Sequence, residues 1–361
     1  MGIGYDALWL RDYEYTLEGS VEAYTTVELI DACRLFIRSM RDDGAGVDCV
    51  RFNGVPVYRP GYDSMGEHPV ADGSQFTVGV AFHTWSRARD AVLLSEVLDP
   101  LLRTMAAVPR RSDDGLVFID PGHDWDRCPY GFTDTVRKSG AVLFSSLLYV
   151  QACRQLSEML EAAGRNAESH RWRAQAERVG SSVRRIFWYP DVGLFRAATV
   201  RCREPDIWGS AFAVYLGVAD GDQSLAVARS FRAQYDQIVQ DGQIRHLPGG
   251  VYWEWAGPRD EYQNGGYWAT PTPDARSADF PGYGVCRRPC LSFKSIRSVE
   301  SSVVGFPTLG RSFRTGCSIR AWGPGFAVGS APGCRPDAVR RPDPFGPSAP
   351  LASRAAPNCA E

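Results

Sequence analysis

The sequence predicts an all-α fold, a toroid of antiparallel helix hairpins. Up to about residue 270, apolar residues recur every three or four positions in about seven segments, which is the spacing of one buried helical face. The connections between these segments alternate between short ones and long ones rich in glycine and aromatic residues. Only short strand patterns interrupt them, so we expect the long loops to collect at one end of the toroid and to carry the functional site.

Three helices are predicted before residue 110. Between the first and the second, Val50 to Val57 predicts a β-hairpin, because Asn53-Gly54 is a strong signal for a tight turn. Pro100 predicts a kink in the third helix, since proline lacks the amide N–H that a helix interior requires. The apolar positions of the three helices are Val27, Ile30, Cys33, Ile37 and Met40; Val78, Phe82 and Trp85; and Leu94, Val97, Leu101 and Met105.

Four more helices are predicted downstream, and the longest of them follows Gly131-Phe132-Thr133-Asp134. We place Asp134 at the N-cap or in the first turn of this helix, where the helix dipole would act on the pKa of its carboxyl group. The apolar positions are Phe144, Leu148, Ala152, Leu156, Met159 and Ala163; Trp172, Ala176, Val179, Val183 and Ile186; Ile207, Ala211, Val214 and Val218; and Ala228, Phe231, Tyr235 and Ile238.

The distribution of charge divides the chain into two parts. Residues 1–274 carry 28 Lys+Arg against 37 Asp+Glu, a net charge of −9, whereas residues 275–361 carry 12 against 5, a net charge of +7. The second part also holds 11 of the 24 prolines and shows no periodic apolar face, so we expect a basic, disordered tail. Its arginines are scattered without interleaved aromatic residues, which argues against nucleic-acid binding.

The use of basic residues suggests an origin for this tail. The chain has 38 arginines and only two lysines, Lys138 and Lys294, as expected of a gene very rich in G and C. Translation of such a gene out of frame yields Arg, Pro, Gly, Ala, Ser and Cys, the composition of the tail. We therefore hypothesise that the reading frame is lost near Pro273; a genuine disordered tail is the alternative.

Several classes of protein are disfavoured by the sequence. The cysteines before residue 275 lack the paired spacing of a zinc site, and the later pair Cys286 and Cys290 is followed by no second pair or suitable histidine. The common nucleotide-binding, zinc-protease and serine-hydrolase motifs do not occur, so we expect no metal and no cofactor. No apolar run reaches the roughly 18 residues of a membrane span, and the N-terminus does not read as a signal peptide. These features predict a cytoplasmic protein. The sequence begins almost inside the motif Trp9-Leu10-Arg11-Asp12, so a further segment upstream of Met1 is an open alternative. The oligomeric state cannot be read from the sequence.

The long loops combine aromatic residues with carboxylates and amides. Aromatic faces pack on the C–H surface of a sugar ring, while Asp, Asn, Gln and Arg bind its hydroxyl groups, so this mixture favours an oligosaccharide or glycoside as the ligand. The candidate sugar-binding residues are Trp9, Arg11, Asp12, Gln75, Trp125, Asp206, Gln263, Asn264 and Trp268.

Four motifs resemble the ordered landmarks of the six-hairpin glycosidases, the superfamily of trehalase, processing α-glucosidase I and the amylo-1,6-glucosidase module of debranching enzymes. The resemblance covers residues 5 to 272 and implies an (α/α)6 barrel and, in most members, inverting hydrolysis by two carboxyl groups. The motifs are Trp9-Leu10-Arg11-Asp12; Gly131-Phe132-Thr133-Asp134; Phe187-Trp188 with Gly193-Leu194-Phe195; and Tyr262-Gln263-Asn264-Gly265-Gly266-Tyr267-Trp268.

The resemblance also assigns roles to residues. It makes Asp134 the general acid, with Asp126 as the second candidate, and it makes Arg11 and Asp12 a sugar-binding pair. Asn264 and Trp268 match the loop that walls the pocket. An inverting site needs a second carboxylate about 6.5 to 9.5 Å from the first, and in the relatives this base follows the element that matches Trp268. Here the chain departs from the pattern after Pro273, which leaves Glu254 and Glu261 as substitutes to consider.

The number of predicted helices is too small for a complete barrel, and this leaves the activity of the chain undecided. The resemblance implies twelve helices, but about seven are visible, so we expect an incomplete toroid and an uncertain activity. A non-catalytic carbohydrate-binding protein is one alternative. A sugar epimerase or isomerase is another, because it would use histidines as acid and base, and His83, His123 and His246 are available in or near the predicted inner segments.

Overall fold

Within the described residues, eight helices form four consecutive hairpins. The computed structural model describes residues 6–59, 70–122 and 135–268. In each hairpin a short connection joins two helices, and a long connection leads to the next hairpin. The first of the short connections includes a 3-10 helix, Val21–Ala23. The helices are α1 (Leu10–Ser20), α2 (Thr26–Arg38), α3 (Gly73–Ala88), α4 (Ala91–Ala107), α5 (Leu143–Ala162), α6 (Asn166–Ile186), α7 (Ile207–Tyr215), α8 (Gly221–Ala233) and a final single turn, α9 (Tyr235–Ile238).

The long connections carry short antiparallel strands. The predicted hairpin at Val50 to Val57 is confirmed: the strand Cys49–Arg51 pairs with Pro56–Val57, and Gly54 has a φ of +85°. Such a φ suits glycine, which has no Cβ to clash. The strands are β1 (Ala7–Trp9), β2 (Cys49–Arg51), β3 (Pro56–Val57), β4 (Phe118–Ile119), β5 (Gly140–Ala141), β6 (Trp188–Tyr189), β7 (Leu194–Phe195), β8 (Val239–Gln240), β9 (Gln243–Arg245) and β10 (Tyr267–Trp268).

Burial separates inner helices from outer ones. In α5, 15 of 20 residues are buried, and in α7 seven of nine are, so these helices are enclosed on nearly all sides. In α6, by contrast, only six of 21 residues are buried, and in α8 four of 13 are. A helix with one apolar stripe lies at a surface, whereas a helix that is buried all round lies inside. The first helix of each hairpin therefore forms an inner layer, and the second covers it.

The inner helices are parallel, with their N-terminal ends together. Arg11 of α1 interacts with the carboxylate of Asp72, which precedes α3. The side-chain amide of Gln75 in α3 donates to the carbonyl of Ser145 in α5 at 3.4 Å. A Cβ atom added to Gly209 in α7 would lie 2.5 Å from the Leu143 side chain of α5, so these helix ends are in close contact as well. One end of the toroid thus collects the N-termini of all four inner helices.

Polar contacts also join the inner helices nearer their C-terminal ends. Glu14 of α1 is buried and lies 3.4 Å from Nε2 of His83 on α3. The hydroxyl group of Tyr215, the last residue of α7, donates to Glu18 of α1 at 2.9 Å. The bond between Tyr215 and Glu18 links the first inner helix directly to the fourth.

Several predicted boundaries need correction. We expected Arg11 and Asp12 to lie in a loop and no helix before Val27, but Leu10–Ser20 is helix α1. Helix α5 begins at Leu143 with Val142 as its N-cap, so Asp134 is not at the start of this helix. The last predicted helix is divided between α8 and α9 near Gln234. Helix α4 holds Pro100 in its interior, and the kink predicted there stays a prediction.

The fold class is confirmed as an all-α, incomplete toroid with short β-hairpins in its loops. Among the described residues, the four hairpins are two fewer than a six-hairpin toroid requires. No helix in the described ranges is long and apolar enough to cross a bilayer. The segment 275–361 lies outside the described residues, so the division of the chain at residue 274 stays a prediction.

Candidate functional site

A buried ion pair lies at the N-terminal end of the inner helices. Arg11, in the first turn of α1, donates from Nη1 to Oδ1 of Asp48, which precedes β2 and is fully buried. Asp72, the N-cap of α3, is also fully buried nearby. Burial alone would lower the pKa of the Arg11 guanidinium, but the carboxylates of Asp48 and Asp72 outweigh burial and raise it. This end of the toroid therefore holds a fixed cation between two carboxylates.

Two glycines make this arrangement possible. A Cβ atom at Gly46 would lie 2.6 Å from the carbonyl oxygen of Gly73, and one at Gly73 would lie 2.8 Å from the carbonyl oxygen of Val47. Atoms at such distances overlap, so only glycine lets the two backbones approach this closely. The contact brings the strand segment that carries Asp48 against the start of α3, and so beside Asp72.

A second buried polar group surrounds Lys138. The ammonium group of Lys138 lies 4.8 Å from the ring centroid of Trp253, and the side chain is almost fully buried. Asp206, the N-cap of α7, accepts a hydrogen bond from the amide of Gly209 at 2.9 Å. Burial raises the pKa of Asp206 from its ordinary value, while the charge of Lys138 opposes this shift. Cation and carboxylate thus interact in a site that is largely closed to solvent.

Glu204 and His246 belong to the same group. Oε1 of Glu204 accepts a hydrogen bond from the amide of Glu254 at 2.6 Å. Burial raises the pKa of the Glu204 carboxyl group, and the charge of Glu254 adds to this, while Lys138 opposes it. The ring of His246 stacks on Trp208, with centroids 3.4 Å apart and an angle of 26° between the planes.

The late loop is held to this end of the toroid by amide side chains. Oε1 of Gln263 accepts hydrogen bonds from the amide and the hydroxyl group of Thr135, at 2.9 and 2.7 Å. Oδ1 of Asn264 accepts from the amide of Trp253 at 2.8 Å, and its Nδ2 donates to the carbonyl of Gly257 at 2.7 Å. These bonds fix the chain immediately after Asp134 and shape the loop itself. Both amide side chains therefore have a structural role in addition to the sugar contact predicted for them.

The other predicted binding residues differ in exposure. Gln75 is buried, and its Nε2 donates to the carbonyl of Ala71 at 2.9 Å. Asp12 is exposed on α1, although its neighbour Arg11 is buried, so the structure separates the predicted pair. Trp9 and Trp268 are half-buried. Nε1 of Trp268 donates to the carbonyl of Tyr262 at 3.2 Å.

Several buried polar atoms at this end have no hydrogen-bond partner among the described residues. Native proteins pair nearly all buried polar groups, so each such atom points to a missing partner such as water, another part of the chain or a ligand. Among 6–59, 70–122 and 135–268, the atoms at the N-terminal ends of the inner helices or in the loops beside them are Oε1 of Gln75, Oγ of Ser139, Oγ of Ser145, Oε2 of Glu204 and Nε2 of His246.

The geometry agrees with the comparison to known proteins. The family described as the bacterial alpha-L-rhamnosidase six-hairpin glycosidase domain matches residues 11–242, nearly two thirds of the chain. The chain belongs to this family. A search of the curated proteins finds no match.

Solved structures share the fold of this glycosidase domain. A rhamnosidase from Klebsiella oxytoca with rhamnose bound is 18% identical, and the match covers 64% of this chain and 42% of that one, with a TM-score of 0.50. The chain thus spans less than half of that rhamnosidase. A mannosylglycerate hydrolase of glycoside hydrolase family 63 from Thermus thermophilus, in complex with glucose, is 15% identical, with coverage of 76% and 80% and a TM-score of 0.54. At these identities the likeness concerns the fold.

Three of the predicted site residues cannot be placed. Trp125, Asp126 and Asp134 lie outside the described residues, as does His123. The other nominated histidines of the glycosidase domain are far apart. His83 is 11 residues after Asp72 in α3, about 16 Å along the helix axis, whereas His246 packs on Trp208 at the start of α7. Because the inner helices are parallel, His83 and His246 lie near opposite ends of the toroid, which argues against an acid–base pair formed by them.

Some residues of this site were not predicted from the sequence. Asp48, Lys138 and Glu204 were not nominated, and Asp72 was not assigned a role. The available signal for Lys138 was its rarity, since it is one of two lysines beside 38 arginines. Asp48 carried no comparable signal, because its burial depends on the close approach of Gly46 to Gly73. In the described part of the chain, no cluster of three or more His, Cys, Asp or Glu side chains is arranged to hold a metal ion.

Proposed function

We propose that this chain is a six-hairpin glycoside hydrolase domain that binds an uncharged terminal sugar, with L-rhamnose as the first candidate, at the N-terminal ends of its inner helices. The observation that carries the proposal is the collection of buried charged groups at this one end, from Arg11 and Asp72 to Asp206, beside buried polar atoms such as Nε2 of His246 that have no partner among the described residues. Apolar packing alone does not require such groups, and burying them is costly unless they are paired.

Hydrolysis in this proposal uses two carboxyl groups and inverts the anomeric centre. Asp134 is the general acid that protonates the leaving oxygen, and Asp126 is the second candidate. The hydrogen bonds from Thr135 to Gln263 support this assignment, because they anchor the residue next to Asp134 to the late loop beside the site. A second carboxylate, about 6.5 to 9.5 Å away, would activate water. We assign no residue to that base.

Removal of the proton donor tests the proposal. Asp134→Asn should lower hydrolysis of p-nitrophenyl α-L-rhamnopyranoside by about 10²- to 10⁴-fold, the range for loss of a general acid or base, with sugar binding kept. Asp31→Asn on the exposed face of α2 is the matched control and should leave the rate unchanged. Aryl α-D-glucosides and α-D-mannosides, assayed in parallel, would identify another sugar.

Each remaining outcome has a distinct meaning. Full activity in Asp134→Asn combined with its loss in Asp126→Asn would move the acid to Asp126. Sugar binding by the wild-type chain without any turnover would favour a non-catalytic carbohydrate-binding protein. If the wild-type chain neither binds nor hydrolyses any of these glycosides, the proposal is wrong.

A further inference from the structure

His246 is held in one position by contacts on several sides. It directly follows β9, and its carbonyl accepts the amide of Ile207 at 2.8 Å, which ties it to the first residue of α7. Its ring stacks on Trp208, and the ring of Trp253 lies edge-on at a centroid distance of 6.3 Å. The side chain is 1% exposed, yet Nε2 has no hydrogen-bond partner among the described residues. A buried nitrogen held this firmly, without a partner from the described chain, is ready to bond a ligand.

The surroundings keep this ring neutral. Burial, and then the charge of Lys138, hold the pKa of His246 well below 6.5. A neutral imidazole has one N–H donor and one bare nitrogen that accepts, so it can bond a hydroxyl group in either sense. It has no charge with which to attract an anion.

Two neighbours of Lys138 offer further unpaired atoms. Oγ of the adjacent Ser139 and Oε2 of Glu204 are buried without a hydrogen-bond partner among the described residues. Lys138 interacts electrostatically with both Glu204 and His246, which places the two side chains around the same ammonium group. Glu204 supplies an acceptor and Ser139 can donate or accept. The group therefore suits hydroxyl groups, while the carboxylates of Glu204 and Asp206 oppose a negatively charged ligand.

We propose that His246 and Glu204 form a hydroxyl-binding subsite for an uncharged sugar, with Lys138 and Trp208 as the residues that position them. The proposal rests on the proposed function, since it names part of the same sugar site. It assigns specificity, and no step of bond cleavage, to this subsite.

Calorimetric titration with methyl α-L-rhamnopyranoside tests the subsite. His246→Phe preserves the stacking on Trp208 but removes the ring nitrogens, so it should weaken binding at least tenfold, the effect of one lost hydrogen bond at a buried site. His246→Gln keeps a donor and an acceptor and should stay within about threefold of wild type. Glu204→Ala should also weaken binding about tenfold. The matched control, His170→Phe on the exposed face of α6, should bind as wild type does.

The results separate the subsite from the function. Wild-type binding that is unchanged in His246→Phe and Glu204→Ala would refute the subsite and leave the proposed function intact. If the aryl glycoside assays identify another sugar, the titration uses the methyl glycoside of that sugar; no binding of the methyl rhamnoside, glucoside or mannoside by the wild-type chain would refute both. If His246→Phe does not fold, two other measurements test the subsite, namely the affinity of Glu204→Ala and the pH dependence of sugar binding by the wild-type chain. The affinity of the wild-type chain should be constant between about pH 8 and pH 6, because the His246 ring stays neutral. A change in affinity centred near pH 6.5, the ordinary value for histidine, would contradict the subsite.

Discussion

Loss of Arg11 should destabilise the domain more than loss of its partner Asp48. Arg11→Met removes the cation that faces two fully buried carboxylates, Asp48 and Asp72. Asp48→Asn removes one carboxylate but leaves Asp72 near the guanidinium. Breaking a buried ion pair from one side costs about 3 to 5 kcal/mol, mainly because the remaining charge is buried without compensation. We therefore expect a loss near 5 kcal/mol for Arg11→Met and near 3 kcal/mol for Asp48→Asn.

Urea unfolding followed by circular dichroism at neutral pH would measure both losses, with equal denaturant slopes showing that the unfolded states are comparable. The double variant Arg11→Met with Asp48→Leu removes the ion pair but leaves Asp72 buried, so it should recover only the part of the stability that was lost through the uncompensated Asp48, because apolar pairs of similar size often replace buried ion pairs without loss. Single losses below about 1 kcal/mol, or a double variant that is no better than Arg11→Met, would refute the reasoning.

Two further predictions concern the contacts of Glu14. Gly79→Ala should cost about 1 to 3 kcal/mol, because the new Cβ would lie 2.8 Å from Cγ of the buried Glu14; Gly19→Ala, with open space around it, should be neutral or slightly stabilising in the same unfolding assay. The pKa of His83 is affected first by burial, which lowers it, but the hydrogen bond and charge of Glu14 and the charge of Glu18 raise it above 6.5. The stability from this interaction is thus present below pH 6.5 and lost as the pH rises through the higher value in the folded state. The difference in unfolding free energy between wild type and His83→Gln should therefore fall from about pH 6 to pH 9, and a difference that grows with pH would contradict it.

Periodicity predicted the helices whose buried faces are purely apolar, and it failed where polar residues are buried. Helix α1 buries Leu10, Tyr13 and Leu17, but Arg11 and Glu14 are buried with them through their partners on other segments. A pattern of apolar residues does not reveal pairing between charged residues that are distant in sequence. We therefore interpreted the start of this segment as a loop.

The start of α5 was missed for a different reason. An acidic residue before a long apolar helix usually marks its N-cap. We therefore predicted that this helix begins at or near Asp134. The chain instead remains extended through β5 and reaches α5 after Val142, a residue that makes no side-chain cap. The strand pairing of Gly140 and Ala141 with Phe118 and Ile119 decides the boundary, and this contact is not local in sequence.

The sequence predicted which end of the toroid carries the candidate site, and only some of the residues that lie there. Aromatic, carboxylate and amide residues nominated before the inner helices lie at the end that collects the helix N-termini, and sugar binding at this end stays a prediction. Their partners depend on tertiary contacts, such as the approach of Gly46 to Gly73 that brings Asp48 beside Asp72. Gln263 and Asn264 show the converse case, since residue types suited to a sugar also make structural bonds, Gln263 to Thr135 and Asn264 to the backbone of the late loop.

The hydrogen bond from Tyr215 to Glu18 bears on the direction from which a substrate can enter. It joins the first and fourth inner helices near their C-terminal ends, opposite the collected N-termini, and the bonded pair is exposed there. We propose that a substrate approaches from the other side, at the N-terminal ends, and presents a chain end to the site. We therefore expect release of single sugars from chain termini with internal linkages left uncut, which product analysis on an oligosaccharide labelled at its reducing end would show.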